Sequence, residues 1–325
     1  VYGGRLSSVL DIQMKEGNNQ NFQGEGGIGL ISSRLTLEGP IVKGKSSFLV
    51  SGRRTYGFDL AQPFIRQTDF AGTNYFFYDL NAKMNYQFSQ KDRIYLSGYF
   101  GRDVLTFAQP GRDFQFTLPY GNATATLRWN HLFTEKLFFN LSAIYNDYQF
   151  KAGFEQEEFN FDIFSGVRDF TAKFDFDYFP SNDHQVKTGI HATKHRLTPN
   201  IIRGSAGETE FENTATAKYA NEYAIYLQDD WKINPWFRVN LGLRGTLFQQ
   251  IGPYTSGING EVYETGEVVK TYSSLEPRIF INTSLNPNAS LKAGVTATTQ
   301  YLHLVSNSSS TLPADVWVPS SEIVK

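Results

Sequence analysis

The sequence is dominated by a hydrophobic period of two that is sustained for about ten residues at a time. In FTAKFDFDY, Phe170, Ala172, Phe174, Phe176 and Tyr178 alternate with Thr171, Lys173, Asp175 and Asp177. Successive strand side chains point to opposite faces, so such a run makes one apolar face and one polar face. The pattern recurs from Phe76 to Phe88, from Phe237 to Gly245 and from Leu291 to Ala297. Soluble strands usually stop at five or six residues. A tilted strand needs roughly 9–11 residues to cross a bilayer. The polar faces carry Lys, Arg, Asp and Asn, so they cannot be the buried side of a sandwich. Apolar toward lipid and polar toward a lumen is the pattern of a transmembrane β-barrel, and the expected fold class is all-β, an antiparallel transmembrane barrel.

The connections sort by length. Short links fall at Val42–Lys45, Ser89–Asp92, Thr134–Lys136, Ser181–His184, Asn234–Pro235 and Asn286–Ser290, and are built from residues that tolerate tight turns. Between them the expected long loops are Gly57–Gly72, Asp103–Gly121, Gly153–Gly166, Pro199–Asn213, Gln250–Ser273 and everything after about Ser306. Outer-membrane barrels have short periplasmic turns and long extracellular loops. Aromatic residues beside the short links, among them Tyr86, Phe88, Phe133, Tyr178, Phe179, Trp231 and Trp236, fit an interfacial girdle.

Composition removes the rival classes. Aromatic residues make up 15% of the 325 residues while mean hydropathy is negative, which outward-facing rings and a charged lumen reconcile. The absence of cysteine excludes a disulfide framework, a Cys-ligated metal and a cysteine nucleophile. A net charge of −2 gives no electrostatic case for a nucleic-acid partner. The chain opens VYGGRLSSVL, without the charged start or apolar core of a signal peptide.

Reading strands between the turns gives roughly thirteen, from near Phe22 to near Val305. A sheet with two open edges is costly in lipid, so the expectation is a piece of a larger barrel that lacks both ends.

YGGRLSSVLDIQMKEGN resembles the end of the plug domain of a TonB-dependent outer-membrane transporter, and LISSRLTLEGPI and SSFLVSGRRTY resemble the opening of that family's barrel. LPADVWVPSSEIVK resembles an extracellular loop of the branch with a carboxypeptidase-like N-terminal domain, the SusC-like relatives. The resemblance implies residues 1–18 as the plug end, with Tyr2, Gly3, Gly4 and Arg5 its marker, and 19–325 as the N-terminal part of a 22-stranded barrel. It also implies outer-membrane lipid around the chain, TonB as a partner through an absent N-terminal part, and uptake of a metal chelate, vitamin, oligosaccharide or peptide. It leaves open a surface lipoprotein partner. The alternative is a barrel that anchors a larger assembly without transport.

No motif points to catalysis or to a cofactor. His191 and His195 share the polar face of one strand, about 13 Å apart at 3.3 Å per residue, too far for one metal ion. Asp175 and Asp177 beside Lys173 are expected to form salt bridges. Gly24, Gly26, Gly27 and Gly29 approach a dinucleotide fingerprint in spacing, but IGLISSRLTL follows where a helix is required. Arg53 and Arg54 are candidate rim residues for an anionic ligand. Glu155–Glu158 and Asp162 make one acidic loop, and Asn122, Asn140, Asn282, Asn288 and Asn307 open N-x-Ser/Thr triplets without functional weight.

Overall fold

A computed structural model describes residues 2–68, 70–109, 113–305 and 316–322. After an extended segment without regular structure, the strands are β1 (Gln23–Ile28), β2 (Ser32–Pro40), β3 (Ser46–Thr55), β4 (Asn74–Gln87), β5 (Asp92–Gln109), β6 (Phe114–Thr134), β7 (Leu137–Gln156), β8 (Phe159–Tyr178), β9 (His184–Ala206), β10 (Thr209–Glu212), β11 (Lys218–Asn234) and β12 (Phe237–Ile251). They continue with β13 (Tyr254–Thr255), β14 (Val262–Tyr263), β15 (Val268–Asn286), β16 (Ala289–Thr296), β17 (Leu302–Val305) and β18 (Val316–Pro319). One helix, α1 (Gly57–Ile65), lies between β3 and β4.

Thirteen strands form a single antiparallel wall in which each pairs with the next wall strand, from β1 through β9, then β11, β12, β15 and β16. The strand number matches the expectation, but the wall closes its count at Thr296 rather than near Val305, and β17–β18 stand apart as a separate hairpin. The register carries the alternation across the wall. Tyr223, Ala192, Ala172, Ala143, Leu127, Leu96 and Met84 form one row of directly opposed outward residues. Many large apolar residues of this face are exposed, including Phe170, Phe174, Ile190, Ile225, Leu243 and Ile279. Water would not tolerate such a face over so many strands, and lipid would. The chain folds as part of an antiparallel transmembrane β-barrel.

Exposed aromatic residues gather at the short-turn end of the outward face: Phe88, Trp129, Phe133, Tyr178, Trp231 and Trp236. Their polar neighbours are tied down there, with Trp129 Nε1 donating to Asp92 at 3.1 Å and His184 Nδ1 lying 2.7 Å from Asp229. Rings with polar tips suit a boundary between hydrocarbon and water.

The opposite end departs from the expected loops. β5 to β9 run for 18, 21, 20, 20 and 23 residues, about twice a membrane crossing. Asp103–Gly121 and Gly153–Gly166 are therefore mostly paired strand, and the acidic run Glu155–Glu158 becomes a tight turn at Glu157–Glu158. Gly57–Gly72 contains α1, and Gln250–Ser273 contains the β13–β14 hairpin. The extensions persist because they bury rings on the inward face: Phe116, Phe154 and Phe161 pack around Phe150, Ala152 and Ile163. Asn307 lies outside the described residues.

Candidate functional site

The inward face is polar, and residues 2–18 lie along it. At one end Arg278 Nη1 of β15 donates to the Tyr2 carbonyl at 2.6 Å. At the other, Lys15 Nζ sits 2.9 Å from Glu38 of β2, and Lys83 of β4 donates to the Met14 carbonyl at 2.9 Å. Asn18 N–H donates to the same Glu38 at 2.9 Å, and Glu16 lies 3.5 Å from Lys83. One short segment therefore touches the polar face of strands near both ends of the wall, and in a barrel fold that face is the interior. The inward face is a lumen.

Two glycines allow the close approach. A Cβ on Gly3 would lie 2.5 Å from Arg244 Cδ, and one on Gly17 would lie 2.0 Å from the Phe48 carbonyl oxygen. Gly4 adopts φ +75° and rests against Glu222. Of the four marker residues, Tyr2, Gly3 and Gly4 all meet the wall of β11, β12 and β15, while Arg5 Nη1 turns back to the Gly4 carbonyl at 2.7 Å.

Beneath Gly3 and Gly4 the wall holds a buried charge layer. Glu276 is fully buried between Arg244 and Arg278, with Arg278 Nη2 3.6 Å from its carboxylate. Arg244 Nη2 lies 3.6 Å from Glu222, and His195 bridges Asp169 at 2.8 Å and Glu222 at 3.8 Å. Charges taken out of water at this depth persist only when paired. His191 engages Asp175 at 2.9 Å, Tyr226 donates to the same carboxylate at 2.6 Å, and Asp177 reaches Lys187 at 3.4 Å. The register gives Asp177 the expected salt bridge, while Asp175 is held by hydrogen bonds from His191 and Tyr226. Among the described residues no group of three or more His, Asp or Glu could hold a metal ion.

Arg53 and Arg54 are not brought together. Adjacent residues of a strand face opposite ways. Arg53 points inward, 2.7 Å from Asp79 and 4.7 Å over the Phe77 ring. Arg54 points outward, 3.7 Å from Asp59 of α1 and 5.4 Å over Phe76.

Sequence reasoning missed the upper lumen. There the β17–β18 hairpin folds against the inward face: Tyr301 and Leu302 pack on Leu197, Ala220 and Phe248, and the Phe248 and Tyr301 rings stack at 5.1 Å. Tyr272 Oη donates to the Ser321 carbonyl at 2.6 Å, and Tyr254 and Ser256 both donate to Glu322. Burial, reinforced by the Glu322 carboxylate, pushes the Tyr254 phenol above its ordinary range. Beside the hairpin lies the aromatic patch of β6–β8, where Phe154 and Phe161 stack at 4.5 Å and Phe116 meets Phe154 at 4.8 Å. The signal was present in FQFTLPYG and FNFDIF, whose alternation continues past the membrane crossing.

No protein-family model and no curated protein matches the sequence. Solved structures do match in shape. The chain is similar to the copper transporter OprC, with a TM-score of 0.63 at 12% identity over 88% of this chain and 47% of that one. The ferric preacinetobactin receptor BauA from Acinetobacter baumannii gives 0.60 at 11% identity, covering 94% and 51%. The ferric yersiniabactin uptake receptor FyuA from Yersinia pestis gives 0.60 at 11%, covering 92% and 50%. The chain has the fold of part of these barrels. At such identities the likeness is one of fold, and the chain spans about half the length of the solved structures it matches.

Proposed function

We propose that the chain is part of an outer-membrane, TonB-dependent uptake receptor, and that residues 2–18 are the end of its plug. The observation that carries this reading is the extended segment hydrogen-bonded along a charged inward face, inside a wall whose other face suits lipid. A plug anchored by ion pairs and main-chain hydrogen bonds can be released without breaking an apolar core. That is what a mechanically operated stopper requires, and the work is transport rather than catalysis. In this reading the short turns face the periplasm and the long hairpins face outside. The inward rings around Phe116, Phe154 and Phe161 are the first surface that a bulky nutrient meets, and of the two candidate rim arginines Arg53, paired with Asp79, is the one that faces it. The sequence resemblance at Tyr2–Lys15 supports the family, whose nutrients are metal chelates, vitamins, oligosaccharides or peptides, and that at LPADVWVPSSEIVK supports its SusC-like branch.

Fractionation and uptake test the reading together. The full-length protein is expected in the outer-membrane fraction. A strain lacking its gene is expected to lose accumulation of one nutrient of these classes, as is the wild-type strain treated with a proton ionophore. Recovery of a folded protein from the aqueous phase of a detergent partition would refute the membrane placement. Ionophore-insensitive uptake would refute the coupling to TonB.

A further inference from the structure

The outward face of β7, β8, β9 and β11 is not uniform. One row of opposed residues, Ala143, Ala172 and Ala192, has no bulk and is flanked by Leu127 and Tyr223, so it floors a trough between larger side chains. Two residues further toward the long-hairpin end, the next row reads Tyr145, Phe170, Lys194 and Asn221. The row beyond it reads Asp147, Arg168, Arg196 and Tyr219. Over the trough hang Gly252 and Pro253, which follow β12, and Thr265 and Gly266, which precede β15, and together they complete a groove of about 950 Å³. A second recess of about 420 Å³, holding Arg168, Arg196, Lys151 and Arg203, adjoins it on the same face.

The charges in that recess are not equivalent. Arg168 is bound to Asp147 at 2.8 Å, Lys151 to Asp162 at 2.9 Å and Arg203 to Glu212 at 2.9 Å. Lys194 and Arg196 are exposed, and among the described residues neither has an ion-pair partner. They stand two positions apart on one strand, roughly 7 Å, at the upper lip of an apolar groove. An unpaired Lys and Arg at that separation can hold one phosphate between them, with the guanidinium forking onto two oxygens. A groove whose floor is apolar and whose lip is cationic has the two-part chemistry of an anionic amphiphile.

We propose that this groove binds a phosphorylated membrane lipid, its phosphate held by Lys194 and Arg196 and an acyl chain lying across Ala143, Ala172 and Ala192. The inference rests on the membrane placement proposed above but not on transport. A free phosphate would use only the lip, and the alanine floor argues for the lipid as its source.

The test uses the full-length protein purified in mild detergent and examined by native mass spectrometry. The probes are lipid A, which carries phosphates and several acyl chains, phosphatidylcholine and inorganic phosphate. Lipid A is expected to be retained in preference to phosphatidylcholine and not displaced by millimolar inorganic phosphate. The double change Lys194→Gln/Arg196→Gln is expected to reduce retention roughly tenfold or more. Ala172→Leu/Ala192→Leu, which fills the floor and keeps both charges, is expected to reduce it as well, with circular dichroism confirming that both variants fold. Equal retention by wild type and the charge variant overturns the proposal. Displacement by inorganic phosphate also overturns it, by reducing the site to a phosphate site. If retention is unselective while the protein still fractionates with membranes and supports uptake, this inference falls alone.

Discussion

Arg278 and Tyr2 are joined by a hydrogen bond of 2.6 Å between residues 276 positions apart in the chain. The guanidinium that makes it is also held to Glu276, so the grip on the first residues of the segment depends on a fully buried carboxylate. Removing one member of a buried ion pair leaves the others without compensation.

Glu276→Ala should therefore cost about 3–5 kcal/mol in denaturant unfolding in detergent, since Arg244 and Arg278 then lose their shared counter-charge. Arg278→Ala should release residues 2–6 to limited proteolysis while the wall remains resistant. Unchanged cleavage near Tyr2 would show that the segment is held by other contacts.

Gly17→Ala places a methyl 2.0 Å from a main-chain oxygen, where no rotamer change can relieve it. The expected cost is about 1–3 kcal/mol, taken locally as detachment of residues 14–18. Amide hydrogen exchange should quicken there and nowhere on the wall. Gly27→Ala is the control, because its Cβ would meet Arg34 Cγ at an ordinary 3.7 Å.

The two faces of β8 should answer differently to substitution. Phe174 points outward and is 44% exposed, so Phe174→Arg should cost roughly 2–4 kcal/mol in a bilayer. Lys173 lies on the inward face beside Ser142 and His191, and Lys173→Gln should cost far less. Equal costs in bilayer unfolding titrations would sink the face assignment.

Leu302 is almost fully buried against Leu197 and Phe248 although its own hairpin is outside the wall. Leu302→Ala should cost about 2–5 kcal/mol. That loss should be confined to the hairpin, seen as faster exchange at 301–305 and 316–320 with the wall strands unaltered. A global loss of protection would mean that the hairpin is structurally part of the barrel.

The membrane-crossing half of the wall was legible because lipid on one side and charge on the other impose a strict period of two. Phe170–Tyr178 and Phe237–Gly245 face as their alternation indicates. The short turns were legible because they need particular residues. The outer halves of β5–β9 were read as loops because the outward contrast fades there: Arg168, Arg196, Gln149 and Lys151 replace the apolar rows, and only the inward rings continue the alternation. The contacts His195–Asp169 and His191–Asp175 depend on register between strands, which no single run contains. The same limit applied to Arg53 and Arg54, where adjacency in sequence suggested a pair and strand geometry separates them.

Every wall strand lies beside the wall strand that follows it in the chain. Such an order can be assembled by adding one hairpin at a time to a growing edge, with closures between sequence neighbours throughout, unlike most all-β folds. The lumen segment is the exception, since Tyr2 meets Arg278 of one of the last wall strands and Leu6 donates to Gln300 beyond them. The lumen segment therefore finds its final seat only after β15 is in place, so the wall must largely form before the segment can settle along it.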